Sequence, residues 1–265
     1  MSMKKTLATI ALLGAVALAL SGCATSSGSQ NVPAGSSGKS GSSSSSSAAK
    51  PVGSLPWNAG GFLGGNATPT VADGEKGKVS VVSQGVLESD GFGSGTLLIA
   101  FRNNTDKAVS HVDFTGTANA GGKIVASGES QGTIPAQVQP GEAGFSFIYF
   151  SDVASIPADG VEYKFKASTS AADTSSYNTA PLTVTQADNN GTAIIGGAEN
   201  KTKKPLTGPY SVEVYCLNGN DLAKQIGTFA TEDGDIEAGD SVSFSVDLYG
   251  GTCDSFVLGV SGYFQ

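Results

Sequence analysis

Two short stretches near the end of the chain alternate with period two. In "VEVYC", Val212, Val214 and Cys216 fall on one face and Glu213 and Tyr215 on the other. In "VSFSVDLYG", Phe244, Val246 and Leu248 oppose Ser243, Ser245 and Asp247. This is the pattern of half-buried strands in antiparallel sheets. Between such runs stand "NNTDK", "NAGGK", "QPGE", "DNNG", "LNGND" and "EAGD", where Asn, Gly, Pro and Asp form turns. Beyond the first two dozen residues no stretch holds a helical period for three turns, and glycines interrupt most candidates. The pattern predicts an all-β protein whose strands and turns are spaced as in a sandwich or barrel.

The pattern also repeats. "TLLIAFRNNTDKAV" (96–109) aligns with "AIIGGAENKTKKPL" (193–206), matching Leu97 to Ile194, Asn103 to Asn200, Thr105 to Thr202 and Lys107 to Lys204. "TIPAQVQPGE" (133–142) aligns with "TEDGDIEAGD" (231–240), matching Val138 to Ile236, Gly141 to Gly239 and Glu142 to Asp240. Nearly equal offsets in two separate stretches point to a tandem duplication. The expected organisation is two immunoglobulin-like antiparallel β-sandwich domains, residues 76–180 and 181–265. At that size each core is thin.

The start of the chain obeys other rules. Lys4 and Lys5 precede an apolar run from Leu7 to Leu20, too short to span a bilayer as a helix, so residues 1–22 read as a signal peptide. The sequence Leu20-Ser21-Gly22-Cys23 that follows resembles a bacterial lipobox. The resemblance implies cleavage before Cys23, which would carry a thioether-linked diacylglycerol and an extracytoplasmic membrane anchor. Each buried acyl methylene adds about 0.8 kcal/mol, so two or more chains hold durably. The alternative is an ordinary secretory signal cleaved near Ala24, which would release the protein. Loss of residues 1–22 removes two lysines and no acid, moving the net charge from −8 to −10. An acidic body is repelled by an anionic membrane surface.

From Ala24 to Pro56 the sequence is mostly Ser, Gly and Ala, including the run Ser42–Ser47. It has little to bury and reads as a flexible tether with a root-mean-square span of roughly 30 Å. The whole of 23–75 is expected to be lipidated N-terminus and linker. Within it, Trp57, Phe62 and Leu63 are either an apolar cap on the end of the first domain or a sticky, membrane-touching patch.

"RNNTDKAV", "SHVDFTGTANAGGKIV" and "PAQVQPGEAGFSF" together resemble the small extracytoplasmic β-sandwich modules of the FxLYD type found on bacterial lipoproteins. The shared features are an Asn-rich turn, an aromatic-bearing strand, a hairpin ending in Lys and a Pro-Gly-Glu turn. After Phe114 the chain reads Thr-Gly-Thr-Ala-Asn rather than the naming motif, and the hairpin is Gly121-Gly122-Lys123. The resemblance implies the sandwich fold and no catalytic residues.

Composition then narrows the function. Charged residues make up 14% of the chain and the net charge is −8, which gives nucleic acid no basic footprint. After Cys23, two cysteines are left, Cys216 and Cys253. In an oxidising compartment an even pair favours a disulfide over two buried thiols. The only histidine, His111, shares a strand face with Asp113, but a general base also needs a nucleophile and an orienting group, and a surface role is favoured. Glu232, Asp233, Asp235, Glu237 and Asp240 lack the spacing of a calcium loop and read as a solvated turn rather than a metal site. "GFGSG" and "IIGGAENK" have neither the helix nor the lysine of a phosphate loop. No cofactor is expected.

The reading is a membrane-anchored surface lipoprotein, a non-catalytic binding or spacer module that meets an envelope protein or wall component. The alternative is an accessory solute- or carbohydrate-binding lipoprotein. That reading needs an aromatic cleft, for which Tyr149, Phe150, Tyr163, Phe165 and Tyr177 are the candidates.

Overall fold

The computed structural model describes residues 58–265, and these fold as β-strands and turns without a helix. The elements are β1 (Leu63–Gly65), β2 (Val79–Ser89), β3 (Gly95–Asn103), β4 (Val109–Ala120), β5 (Lys123–Ile134), β6 (Gln137–Val138) and β7 (Ala143–Phe150). They continue with β8 (Glu162–Ala171), β9 (Thr179–Asn189), β10 (Ala193–Glu199), β11 (Leu206–Asn218), β12 (Asp221–Phe229), β13 (Ser241–Asp247) and β14 (Phe256–Phe264). Two antiparallel sheets result. The first runs β2-β3-β7-β5-β4-β8, with β6 also on β4; the second runs β12-β11-β14-β9-β10-β13, with β1 also on β14. The described residues are all-β, as their patterning requires.

Each sheet folds over on itself around a core. Leu97, Ile99, Phe101, Phe114, Ile148 and Phe150 fill the first. Val212, Val214, Cys216, Phe244, Val246 and Leu258 fill the second, placing the alternating residues of β11 and β13 inward as their period demands.

The duplication is visible in the hydrogen bonds. Asn103 donates from Nδ2 to the carbonyls of Lys107 (2.8 Å) and Val138 (2.9 Å), and its Oδ1 accepts from the Thr105 amide and hydroxyl. Asn200 donates to the carbonyls of Lys204 (2.9 Å) and Glu237 (3.1 Å) and accepts from the amide and hydroxyl of Thr202. Both asparagines are fully buried. Their backbone carbonyls accept from Gly141 and Gly239, the glycines of the two matching turns, both with positive φ. Asn suits this position because one side chain satisfies several buried backbone groups that would otherwise have no partner.

A third core joins the sandwiches. The strand β3 is buried on both faces: Leu97, Ile99 and Phe101 point into the first sandwich, while Leu98 and Ala100 point out of it. With Phe145 and Ile134 they meet Tyr215, Leu217, Leu222 and Val257 on the outer face of the second sheet. The Phe145 and Tyr215 rings lie 5.6 Å apart, and the Tyr215 hydroxyl donates to the Gly132 carbonyl at 2.8 Å. Glycines allow the close approach. A Cβ on Gly259 would stand 2.8 Å from Ile134, and one on Gly85 would stand 2.9 Å from the Leu222 carbonyl. A seam of buried aromatic and aliphatic side chains resembles a domain core more than the polar contacts of domains that move independently.

From Asn58 on, the segment expected to be linker belongs to the folded body. β1 pairs with β14, Leu63 opposite Gly259, and Leu63 is buried in the third core. Asn66 exchanges hydrogen bonds with the backbone of Asp254 and Phe256. The chain then crosses to the first sandwich, where the buried Arg102 guanidinium donates to the carbonyls of Val71 and Ala72 at 2.8 and 2.9 Å. Leu63 thus pairs with the second sandwich while its side chain packs in the core that the two sandwiches share. Leu63 supplies a strand to the second, and the two glycines that follow it fit where larger residues would collide: a Cβ on Gly64 would overlap Val184 and one on Gly65 the Phe256 carbonyl.

Candidate functional site

Two concave regions carry the sequence candidates and most of the unusual chemistry. The first, of about 310 Å³, lies between the sandwiches. His111, Asp113 and Thr133 line it from one side, and Glu213, Phe229 and Tyr263 from the other. A register shift in the β4–β8 ladder between Ser110 and Asp113 accompanies a positive φ of 45° at His111. That backbone conformation is uncommon for a residue with a side chain. The imidazole Nε2 lies 2.9 Å from Oδ1 of Asn178 in the connection between the sandwiches, and donates to it. His111 and Asp113 do share one exposed face, as the alternation requires.

Glu213 is the residue that sequence reasoning passed over. It points away from the core of the second sandwich and is covered by the first. Glycines surround its carboxyl group: a Cβ on Gly227 would stand 3.0 Å from it and one on Gly132 3.3 Å. Burial pushes its pKa up to about 7, against a smaller downward pull from the Gln225 amide, which donates to it. The same burial, and the neighbouring Glu213 charge, raise the pKa of Tyr215 well above its ordinary value.

No protein-family model matches the chain, and no curated protein matches it. The site is therefore read from its own geometry.

The second concavity, a groove of about 680 Å³, runs along the first sandwich between β2 and β8. These strands face each other but do not pair; β2 bonds only to β3 and β8 only to β4. Lys164 and Lys166 point outward from β8, Lys164 beside Glu162 at 3.3 Å, and Lys78 stands just before β2, ion-paired to Glu75 at 2.6 Å. Val79, Val81 and Phe165 line the groove while remaining only partly buried in the first core.

The remaining candidates disperse. Cys216 and Cys253 form a disulfide, Cα–Cα 5.2 Å, which ties the end of β11 to the loop before β14. Phe150 is buried with Tyr163 packed on it at 6.1 Å, Tyr149 is half-exposed on β7, Phe165 lines the groove and Tyr177 is exposed in the connection, so the five aromatics do not share a cleft. The acids of 231–240 serve the turn itself. Glu232 accepts from the Ser243 amide and hydroxyl, and Asp240 accepts from the Glu237 amide. Among the described residues no group of three or more His, Cys, Asp or Glu side chains is placed to hold a metal ion. Cys23, the signal peptide, the Ser/Gly tether and Trp57 lie outside the described residues.

Proposed function

We propose that this chain is a lipid-anchored extracytoplasmic binding protein: a signal peptide cleaved before Cys23, an acylated Cys23, a Ser/Gly tether and a two-sandwich body with a non-catalytic role. The observation that supports binding over spacing is the third core. Two modules built to give reach gain most from an end-to-end arrangement with little contact. Here they pack sheet face on sheet face through Leu98, Phe145, Tyr215 and Val257, which shortens the body and fixes its surface. A fixed surface loses less freedom on association, and this favours a binder. The lipobox-like Leu20-Ser21-Gly22-Cys23 and the acidic ectodomain support presentation away from the membrane.

Two measurements test this. Phase partition in detergent should place the wild-type chain with the membrane lipids and Cys23→Ala in the aqueous phase or with its signal peptide uncleaved. Cross-linking on intact cells should recover a discrete envelope protein or wall component with the wild type. Aqueous partition of the wild type would end the anchor reading, and recovery of abundant neighbours alone would return the body to the role of spacer.

A further inference from the structure

The two copies differ at one edge. In the second sandwich β14 has a neighbour on each side: β11 on one, and on the other β9 from Thr179 to Leu182 followed by β1 from Leu63 to Gly65. Its inward residues Phe256, Leu258 and Val260 are consequently buried. The corresponding strand of the first sandwich, β8, is bonded to β4 alone. Its inward residues Tyr163, Phe165 and Ala167 are only partly buried, and the groove opens beside them. One copy thus shows what covers this edge when it is covered: a short extended segment from elsewhere in the chain.

We propose that the β8 edge of the first sandwich takes an extended peptide of a partner protein as an added strand, one that alternates apolar and acidic side chains. This rests on the reading of the body as a binding protein. The apolar side chains would finish the cover over Val79, Val81 and Phe165, and the acids would meet Lys166 and compete with Glu162 for Lys164 and with Glu75 for Lys78. Backbone pairing supplies affinity in such additions, and alternate side chains supply selectivity. The charges also select against other occupants. Residues 1–57 hold four lysines and no acid, so the chain's own leader and tether carry the wrong sign. A second copy paired antiparallel about Phe165 would bring Lys164 and Lys166 against lysines of its mate, which is destabilising.

The full chain in detergent is titrated with a fluorescein-labelled peptide of about eight residues alternating Val and Glu. Saturable binding is expected, with slowed hydrogen exchange in 164–169 and no change in β14. The same peptide N-methylated at alternate residues should not bind. Lys164→Glu with Lys166→Glu, both at exposed positions and so compatible with folding, should weaken binding about tenfold, and a Val/Lys peptide should bind that variant better than it binds the wild type. Absence of saturation by about 1 mM, equal binding of the N-methylated peptide, or an unchanged affinity in the double variant would overturn the proposal. On cells, a partner captured equally by wild type and double variant would overturn the edge site while leaving the binding role intact. Peptide binding that passes every control, with no partner on cells, would support the edge site and count against the wider reading.

Discussion

The two sandwiches use the same six strand roles and close on opposite sides. In each, two three-stranded ladders face one another: β2-β3-β7 and β5-β4-β8 in the first, β9-β10-β13 and β12-β11-β14 in the second. In the first copy the ladders are joined where β5 runs on to pair with β7, from Glu129 opposite Tyr149 to Ile134 opposite Phe145. In the second, β12 stops at Phe229, and the join is made by β9 and β14, from Thr179 opposite Tyr263 to Leu182 opposite Val260. A sandwich needs only one such join to fix its two layers, so the other side is free to vary. In the second copy it is the free side of β12 that lies against the first domain. In the first copy it is the groove along β8 that faces solvent. What stays constant is the Asn lock, because it satisfies buried backbone groups that exist whichever side is joined.

The comparison is broken hardest at the disulfide, which only the second copy has. Replacing both Cys216 and Cys253 with Ala should lower stability by about 4 kcal/mol, from a closed loop with a sequence separation of 37. Denaturant titration of the variant and of the wild type should show this, and hydrogen exchange should locate the loss in β11 and β14.

Next come the paired asparagines. Asn103→Ala and Asn200→Ala each strand several buried backbone groups and should each cost about 2–3 kcal/mol. Similar values would confirm that the lock does the same work in both copies. A loss at only one position would show that the duplicated bonds are not energetically equivalent.

Glu213 sharpens the contrast between the outer faces, since in the second copy this face is buried. Its carboxyl titrates near 7 in the fold and near 4.5 when free, so as pH rises the unfolded chain releases its proton first. Its contribution to stability is therefore fully favourable below pH 4.5, is lost between 4.5 and 7, and stays lost above. Glu213→Gln should remove that slope, adding about 3 kcal/mol at pH 8 and almost nothing at pH 4, as measured by denaturant titrations at the two pH values.

The smallest effect is expected at Glu142, the partner of Asp240. Both side chains cap their own turn, accepting from Gln139 and Glu237 respectively, but the longer Glu142 also accepts from the Gly60 amide. Glu142→Asp should keep the cap and release Gly60, costing about 1 kcal/mol and speeding hydrogen exchange in 58–65.

The chain's local pattern disclosed what local rules govern. The faces of β11 and β13 followed from alternation, and Asn103, Thr105, Asn200 and Thr202 stood at matching places because the turn chemistry is local. The seam did not follow. Tyr215 was rightly placed on the face opposite Val214, but its burial comes from a sheet more than 60 residues away in sequence, which strand period does not report. Unbroken apolar stretches in "TLLIAF" and "DSFVLGV" were the available sign that β3 and β14 are covered on both faces. β1 was missed because three residues with two glycines carry no period at all.

That short strand also sets an order in time. Asn66 and its partner Phe256 are separated by 190 residues, and everything in the first sandwich lies between them. A chain made N-terminus first must hold Leu63–Gly65 unpaired through synthesis of the whole first sandwich, until β14 emerges to receive it. The first sandwich can assemble while the chain is still being made, whereas the second is finished only by joining the earliest strand to the latest. A molecule halted part-way through synthesis would carry a completed first module and an open second one.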